Sequence, residues 1–379
     1  WGDEALVPPP PADAREPAPP VARGPVRDLP PVAPVGELTF PAIERARLSN
    51  GLEVVLARRT AVPKVSMALT FDAGNAADGA ARAGTQSMMM EMLREGTRSR
   101  SAEEIATAQE RLGAPIKTGT TTDASTVTMT ALTANLGPSL QLMADIVRNP
   151  AFAPGDVARV RAQRLAAIAQ EQADPEALAQ RSLGPVIYGE GHPYGSVGGS
   201  GKASAVESLT PEILAEEHAR WLRPETARLT AVGDATLAEL VPALEAAFGD
   251  WRGAEIAARP KSLAVAVPQA RPRLVVIDIP DRPQSVLLLA RVLPLDGARQ
   301  GIEPLELANE VIGSGFLSRL NFELREEKGW TYGIRSSLTD VVGPRALAVF
   351  TSVQADRTAD SIRLILERMD AFADGSQGV

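Results

Sequence analysis

The sequence of 379 residues contains no cysteine and only two histidines, His192 and His218. Without cysteine the chain can form no disulfide, no thiolate metal site and no cysteine nucleophile. The two histidines are far apart in the sequence, which excludes a zinc site built from several histidines within this chain. This shortage of histidine is the most informative feature of the composition.

Long apolar runs and clusters of basic residues are also missing. No stretch approaches the ~18 consecutive apolar residues of a membrane-spanning helix. The sequence has 39 Lys and Arg against 47 Asp and Glu, for a formal net charge of -8. Nucleic acids and anionic membrane surfaces attract proteins with clustered positive charge. We therefore expect neither of them as a partner.

The chain starts at Trp1 without a basic and apolar leader, so we expect a processed or excised segment of a longer precursor. Trp1-Gly2-Asp3 and the proline-rich stretch after it resemble Gly249-Asp250-Trp251 and the linker that follows. This repetition predicts another lobe upstream of Trp1. A periplasmic or secreted location is favoured if that precursor carries a signal peptide.

The length of the chain predicts more than one folded unit. Residues 1–37 hold 11 of the 31 prolines and almost no large apolar side chain, which predicts an extended linker. Residues 38–251 then form a first lobe, residues 252–272 an inter-lobe linker, and residues 273–379 a second, incomplete lobe.

Strand and helix signals recur in the same order in both lobes. The first lobe has strand signals at 38–40, 46–48, 52–56, 65–73, 118–132 and 227–232, and helix signals at 81–95, from Ser101 onward, and at 136–148, 156–172, 211–221 and 237–248. The second has strand signals at 274–279, 285–292, 332–338 and 347–353, and helix signals at 303–312 and 359–372. The sequence therefore predicts an α+β fold of two homologous lobes. Each is a largely antiparallel sheet with helices packed on one face, and the second lobe is truncated relative to the first.

An ordered series of short motifs resembles the pitrilysin/insulinase family of zinc peptidases, which includes the mitochondrial processing peptidase. The series extends from about residue 37 to the end of the chain. Its members are Leu48-Ser49-Asn50-Gly51-Leu52, Gly96-Thr97, Arg148-Asn149-Pro150-Ala151-Phe152, Tyr188-Gly189-Glu190-Gly191-His192-Pro193-Tyr194-Gly195, Ala231-Val232-Gly233-Asp234, Gly313-Ser314-Gly315-Phe316-Leu317-Ser318-Arg319-Leu320 and Leu324-Arg325-Glu326-Glu327-Lys328-Gly329-Trp330-Thr331-Tyr332-Gly333.

The resemblance places a degenerate zinc motif in the first lobe. Catalytic members of the family carry His-x-x-Glu-His on a helix that ends just before a Gly-Thr pair, and a third ligand on a later helix. Counting back from that pair, the two histidine positions hold Ser87 and Glu91, and Met90 takes the place of the general base. Ala167 occupies the position of the third ligand. The resemblance therefore implies no zinc in this chain and a zinc ion in a catalytic partner.

The remaining candidates of the first lobe have structural interpretations. His192 precedes a proline and is predicted to be a turn or surface residue, and His218 to be a packed or exposed residue of a helix. The methionines from Met88 to Met92 are predicted to pack in the core, with an adaptable hydrophobic surface as the alternative.

The resemblance gives the second lobe a functional pair, Arg325 and Tyr332. In the family such a pair reaches across a closed chamber to hold and polarise the substrate at the zinc site of the other half. A guanidinium can bind a carbonyl or carboxylate, and a phenol can donate to a developing oxyanion. The alternative is that Arg325 is a solvated helix residue and Tyr332 an ordinary sheet residue.

A glycine-rich turn is the last candidate. Gly313, Ser314, Gly315 and Phe316 follow an amphipathic helix and allow close backbone approach, so they are predicted to line the peptide chamber. A plain helix C-cap explains the same pattern.

The sequence thus predicts the non-catalytic half of an insulinase-type zinc metallopeptidase, inactive alone and active as a heterodimer. The partner is a zinc-bearing subunit or the upstream lobes of the same precursor, and the substrates are peptides. The alternative is a structural or peptide-binding subunit with no proteolytic role. An active zinc hydrolase is contradicted by the ligand count.

Overall fold

The computed structural model describes residues 36–37, 39–189, 191–256, 261–268, 271–297 and 302–376, except for the side chain of Asp296. Nearly all of the predicted proline-rich linker, Leu38 at the start of the first predicted strand, and parts of the predicted inter-lobe linker lie outside these residues. Pro41–Val379 group into one unit by their mutual contacts, and all that follows concerns this unit.

The first lobe is built on a six-stranded sheet. The order of its strands is β1-β2-β6-β3-β5-β4, and every neighbouring pair is antiparallel except β2 and β6. The predicted, largely antiparallel sheet is therefore confirmed. Its strands are β1 (Ile43–Arg47), β2 (Glu53–Arg58), β3 (Lys64–Phe71), β4 (Ile116–Thr120), β5 (Ser125–Leu132) and β6 (Ala227–Gly233).

Several helices of the first lobe begin at a side-chain cap that the sequence supplies. Ser101 and Glu104 form the predicted capping box, and Thr210 caps a helix that has Pro211 at its first position. The helices are α1 (Thr85–Met92), α2 (Ala102–Leu112), α3 (Leu136–Arg148), α4 (Pro154–Ala173), α5 (Pro175–Ile187), α6 (Ala203–Glu207), α7 (Pro211–Trp221) and α8 (Leu237–Phe248). Short 3₁₀ turns lie at 75–77, 80–82, 133–135, 193–195 and 224–226.

The core of the first lobe follows from strand alternation. Val65, Met67, Leu69 and Phe71 of β3 are buried, while the residues between them are not. This is the period-2 pattern of a sheet with one covered face. The methionines of α1 complete the same core, each of them at most 1% exposed. The core interpretation of these methionines is therefore confirmed, and the interpretation as an adaptable surface is wrong.

The second lobe has a three-stranded sheet of β7 (Gln284–Asp296), β8 (Thr331–Leu338) and β9 (Pro344–Gln354), in the order β7-β9-β8. Both neighbouring pairs are antiparallel. This order repeats β3-β5-β4 of the first lobe, as two homologous lobes require. The helices are α9 (Ile302–Asn309), α10 (Arg319–Asn321) and α11 (Thr358–Ala373), with π-helical turns at 310–314 and 322–327 and a 3₁₀ turn at 355–357.

One predicted strand of the second lobe is wrong. Residues 274–279 form no strand, and Leu274 and Val276 are exposed. The counterpart of this segment in the first lobe is β2, whose backbone is hydrogen-bonded to β6. Among the described residues no strand of the second lobe takes the part of β6, so the apolar segment has no partner for its backbone hydrogen bonds.

The first lobe also differs from the prediction: Thr39 and Phe40 of the strand predicted at 38–40 are not in a strand, and the short helix α6 has no predicted counterpart. The single strand predicted at 118–132 is a hairpin of β4 and β5, because the chain turns at Thr121–Ala124. Helix α5 was not predicted, since Gly184 and Pro185 near its end are signals that normally stop a helix. Gly184 is instead required by packing: a Cβ there would lie 2.5 Å from the carbonyl oxygen of Ser196.

The two lobes share a small apolar cluster. Ala76, Tyr188 and Tyr194 of the first lobe pack with Val341 and Ala346 of the second. None of the helices in the described part of the chain combines the length and hydropathy needed to cross a bilayer.

Candidate functional site

Helix α1 carries the positions of the degenerate zinc motif, and its start is well defined. Gly84 adopts a left-handed φ of 104°, and the Asp78 carboxyl accepts hydrogen bonds from the backbone N–H groups of Gly84 and Gln86, both at 3.0 Å. Burial raises the pKa of Asp78 to about 8, against the lowering effect of these two donors. These contacts set the rotation of α1 and hence the directions of Ser87, Met90 and Glu91.

Met90 and Ser87 cannot perform zinc chemistry in this environment. Met90 is fully buried in the core of the first lobe, so the position of the general base holds an apolar side chain. Ser87 is half-buried, and its hydroxyl donates to the carbonyl oxygen of Gly84 at 3.1 Å. Only Glu91, one turn further along α1, offers a carboxylate.

An arginine of α4 joins the two histidine positions. Arg164 donates from Nε to Oε2 of Glu91 at 2.9 Å and from Nη1 to Oγ of Ser87 at 2.9 Å. Its Nη1 also approaches the carbonyl oxygen of Ser200 at 3.4 Å. Arg164 lies three positions before Ala167, so it shares one face of α4 with the predicted position of the third ligand.

These residues do not fit a zinc ion. The guanidinium of Arg164 already neutralises the Glu91 carboxylate, and its positive charge repels a divalent cation at that place. Among the residues that the structure describes, no group of three or more His, Cys, Asp or Glu side chains could hold a metal ion. Sequence reasoning missed Arg164. The feature that could have indicated it is a charged residue on the inner face of the alanine-rich helix α4.

Replacing Arg164 by methionine is expected to lower the free energy of unfolding by about 1 kcal/mol, because Glu91 and Ser87 lose a shared, partly buried partner. Urea unfolding measures this difference. Arg159→Met is the matched control, since Arg159 of the same helix pairs with Glu95 but its side chain is 46% exposed against 15% for Arg164. Equal losses in the two variants would contradict a special role of Arg164.

Each histidine forms a hydrogen bond with a backbone group of the first lobe. His192 lies in a turn, as predicted, but it is only 1% exposed, so its interpretation as a surface residue is wrong. Its Nδ1 accepts from the backbone N–H of Tyr194 at 3.0 Å, and burial lowers its pKa. His218 is packed, with Nε2 at 2.7 Å from the carbonyl oxygen of Val147. Burial lowers the pKa of His218 as well.

The glycine-rich turn of the second lobe is held tightly to the sheet. A Cβ on Gly313 would lie 2.4 Å from Oγ of Ser336 in β8, and one on Gly315 would lie 2.6 Å from a carboxylate oxygen of Glu310. The hydroxyl of Ser314 donates to Glu310 at 2.7 Å. Gly313 is therefore required by close approach rather than by a left-handed dihedral angle, whereas the Glu310 side chain can move away from a Cβ at Gly315.

Two buried asparagines that sequence reasoning missed support this turn. Asn321 donates to the carbonyl oxygen of Phe316 at 2.7 Å and accepts from the backbone N–H of Ile334 at 3.2 Å. Asn309 accepts from the hydroxyl of Ser336 at 2.6 Å. In the sequence, each of these asparagines occupies a helix position where an apolar residue is expected. A buried polar side chain is tolerated at such a position only when its hydrogen bonds are satisfied.

The structure brings Phe316 and Arg325 together at the surface. The guanidinium carbon of Arg325 lies 4.6 Å from the ring centroid of Phe316, which is a cation–π contact. The Phe316 ring is nevertheless 68% exposed. Arg325 also lies near Glu326, with 3.5 Å between Nε and Oε1. The Phe316 ring thus orients the guanidinium of Arg325, and the Arg325 side chain remains 33% exposed.

Tyr332 lies at the start of β8, seven positions after Arg325 in the chain, and it is 91% exposed. The segment between Arg325 and Tyr332 is short and ordered, because the N–H of Trp330 donates to the carbonyl oxygen of Leu324 at 3.0 Å. A phenol exposed on a strand contributes little to packing. Within the part of the chain that the structure describes, β8 lies at an edge of its sheet, so the phenol is accessible to a bound molecule.

Both candidate segments of the second lobe include π-helical turns. One spans Glu310–Ser314 and leads into the glycine-rich turn, and the other spans Phe322–Glu327 and carries Arg325. π-Helical turns are rare in proteins and occur frequently at functional sites.

Comparisons with known proteins identify the family of the chain. Residues 53–192 match the family model "Insulinase (Peptidase family M16)", and residues 208–377 match the model "Peptidase M16 inactive domain". The chain belongs to the M16, or insulinase, family of peptidases. The family predicted from the sequence motifs is therefore confirmed.

Individual relatives point the same way. The chain is 29% identical over 335 residues to an uncharacterized zinc protease of Mycobacterium tuberculosis, covering 88% of this chain and 75% of the relative. It is 22% identical over 220 residues to the beta subunit of the mitochondrial-processing peptidase of Rattus norvegicus, covering 58% of this chain and 44% of that subunit.

Solved structures share the fold. A peptidase M16 inactive domain from Pseudomonas fluorescens has a TM-score of 0.77 at 25% identity, covering 88% of this chain and 79% of that one. A protease from Helicobacter pylori also has a TM-score of 0.77, at 18% identity, covering 87% of this chain and 80% of that one. The predicted α+β class is thereby confirmed.

Proposed function

We propose that this chain is the non-catalytic half of an insulinase-type zinc metallopeptidase. It forms part of a chamber that encloses a peptide, and it supplies Arg325 and Tyr332 to a zinc-bearing partner. The partner is a second subunit or further lobes of one precursor. The observations that carry the proposal are the contact of the partly exposed Arg325 with the exposed ring of Phe316 and the exposure of Tyr332, in a segment that matches an inactive-type domain.

The chemistry of these side chains suits a peptide bond under attack. The Arg325 guanidinium presents planar donors to a carbonyl or carboxylate of the substrate. The phenol of Tyr332 can donate to the oxygen on which negative charge develops during attack at the carbonyl carbon. Neither residue activates water, so they stabilise the transition state only beside a site that does.

The edge of the second sheet supports a peptide-binding role. Within the described residues β8 pairs with β9 alone, so its other edge is available to an added strand. A peptide bound in this way is held through main-chain hydrogen bonds, which tolerates varied sequences. Tyr332, at the start of β8, then lies beside the main chain of the peptide.

The purified chain and its native assembly test this proposal. We expect the chain alone to contain less than about 0.1 zinc per molecule, given its lack of a ligand set, and to leave an unstructured fluorogenic peptide intact. The assembly purified from the source cells should contain a chain or segment with His-x-x-Glu-His, bind zinc and cleave the peptide. Stoichiometric zinc in the isolated chain would refute the proposal, and an assembly without a zinc-bearing partner would favour a structural or peptide-binding subunit.

A further inference from the structure

Three segments of the chain meet at Asp123, in the turn between β4 and β5. The Tyr194 hydroxyl donates to Oδ1 of Asp123 at 2.8 Å, and the backbone N–H of Val342 donates to Oδ2 at 2.8 Å. The ammonium of Lys261 pairs with Asp72 at 2.6 Å, donates to the carbonyl oxygen of Asp123 and lies 3.7 Å from its Oδ1. We call Asp123, Tyr194, Lys261, Val342 and Gly343 the Asp123 clasp.

The clasp joins the two lobes. Asp123 and Tyr194 belong to the first lobe and Lys261 to the segment between the lobes, while Val342 and Gly343 lie in the loop between β8 and β9. The N–H of Gly343 donates to the Tyr194 hydroxyl at 2.8 Å. The Tyr194 hydroxyl therefore accepts a hydrogen bond from the second lobe and donates one to Asp123 of the first lobe.

The side chains of Asp123, Tyr194 and Lys261 are shielded from water. The side chains of Asp123 and Lys261 are 11% and 5% exposed. Burial raises the pKa of the Tyr194 phenol, so the hydroxyl keeps the proton that it donates to Asp123. A second phenol, that of Tyr188, donates to the carbonyl oxygen of Pro344 at 2.8 Å. Charge-assisted hydrogen bonds that are partly shielded from water are stronger and more directional than exposed ones.

The fit at Gly343 leaves no room for a side chain. A Cβ at this position would lie 2.9 Å from Oη and 3.1 Å from Cε2 of Tyr194. The φ of Gly343 is not in the left-handed region, so alanine is excluded there by the contact between the lobes and not by the backbone. Gly343→Ala should therefore push the β8–β9 loop away from Tyr194.

The position of the loop matters for the candidate site at the other end of β8. The strand has 8 residues and so spans roughly 25 Å at 3.3 Å per residue. A rotation of about 10° at the loop would move the Tyr332 end by roughly 4 Å on that length. A misplacement of about 1 Å can already cost a large factor in rate.

We propose that Asp123, Tyr194 and Lys261 are positioning residues that fix the orientation of the second lobe, and with it Arg325 and Tyr332, relative to the first. Within the described residues the lobes are also joined by the packing of α5 against β7, by the apolar cluster of Tyr188, Tyr194 and their neighbours, by the Tyr188–Pro344 hydrogen bond and by the hydrogen bond from Ser352 to Glu176 at 2.7 Å. Apolar contacts are non-directional, whereas hydrogen bonds depend on direction, so the clasp adds a directional restraint to this packing. The catalytic consequence rests on the proposed function; the orientation itself does not.

A distance measurement between the lobes tests the orientation directly. The chain has no cysteine, so the exposed residues Ala106 of α2 and Ala359 of α11 can be replaced by cysteine and spin-labelled without competing thiols. We expect a narrow distance distribution in the otherwise unchanged chain. Tyr194→Phe, which removes only the hydroxyl, and Gly343→Ala should each broaden it about twofold or shift it.

Gly119→Ala is the matched control, because a Cβ there meets nothing within 4 Å, and it should leave the distribution unchanged. Far-UV circular dichroism confirms that each variant is folded. An unaltered distribution in folded Tyr194→Phe and Gly343→Ala chains would overturn the proposal.

Peptide cleavage by the native assembly provides the second readout. Tyr194→Phe should lower kcat about tenfold with a smaller change in KM, because the orientation of the Arg325 group acts on the transition state. Broadened distances with unchanged cleavage would overturn the positioning role. Failure of the proposed function is seen separately, as cleavage that does not depend on Arg325, and the distance measurement still tests the clasp in that case.

Discussion

Arg325→Ala is expected to lower kcat/KM for peptide cleavage by the assembled peptidase about 100-fold, the usual cost of removing a pre-oriented donor from a transition state. The Phe316 ring holds the guanidinium at 4.6 Å from its centroid, so little reorganisation is needed when the substrate binds. The measurement is the cleavage rate of a fluorogenic peptide by assemblies with wild-type or variant chain.

Matched variants separate this effect from a general loss of charge. Arg363 of α11 is an exposed arginine of the same lobe that pairs with Asp360, and Arg363→Ala should leave the rate unchanged. Arg325→Lys keeps the charge but loses the planar fork, so it should recover only part of the activity. If Arg325→Ala and Arg363→Ala assemblies cleave equally fast, Arg325 has no part in the reaction.

Tyr332→Phe belongs to the same experiment, because it removes one donor and keeps the ring. Tyr332 is 91% exposed, so the substitution should not alter the stability of the chain. We expect a loss of about tenfold in kcat. A normal rate in this variant together with a slow Arg325→Ala assembly would assign the polarising role to the arginine alone.

Gly233→Ala is expected to lower the free energy of unfolding by about 4 kcal/mol. Gly233 ends β6, which lies between β2 and β3 in the first sheet. Its φ of 154° is unfavourable for alanine, and a Cβ there would lie 2.2 Å from the carbonyl oxygen of Lys64 and 2.6 Å from Cα of Val65. Backbone strain and overpacking each contribute about 2 kcal/mol.

Urea unfolding followed by circular dichroism measures this loss, with Gly119→Ala of β4 as the control. Gly119 lies in the same sheet, but an added Cβ has open space, so the control should change stability by less than about 1 kcal/mol. If both alanine variants unfold at the same urea concentration, the close approach of β6 to β3 is not what requires glycine.

Local signals in the sequence were sufficient for most helices. The predicted bounds of the helices that begin after Asn135, Thr210 and Thr236 coincide with α3, α7 and α8. Caps, a proline at the first helical position and apolar periodicity act within a few residues of one another, so no knowledge of the rest of the fold is needed.

Pairing between strands could not be predicted in the same way. The hairpin at Thr121–Ala124 contains neither glycine nor proline, and alternation continues through both of its strands. The segment at 274–279 has the composition of a strand but lacks a partner among the described residues. Whether an apolar segment becomes a strand depends on a neighbour that can be distant in sequence.

The sequence by itself determined the family and the loss of the histidine ligands, because residue identities in an ordered motif series are independent of how the chain folds. Only the tertiary structure decided what stands in their place. Arg164 lies 73 positions from Glu91 in the chain, and Asp123 lies 219 positions from Val342. Contacts between residues so far apart in the sequence arise when helices pack and lobes meet, which no local pattern specifies.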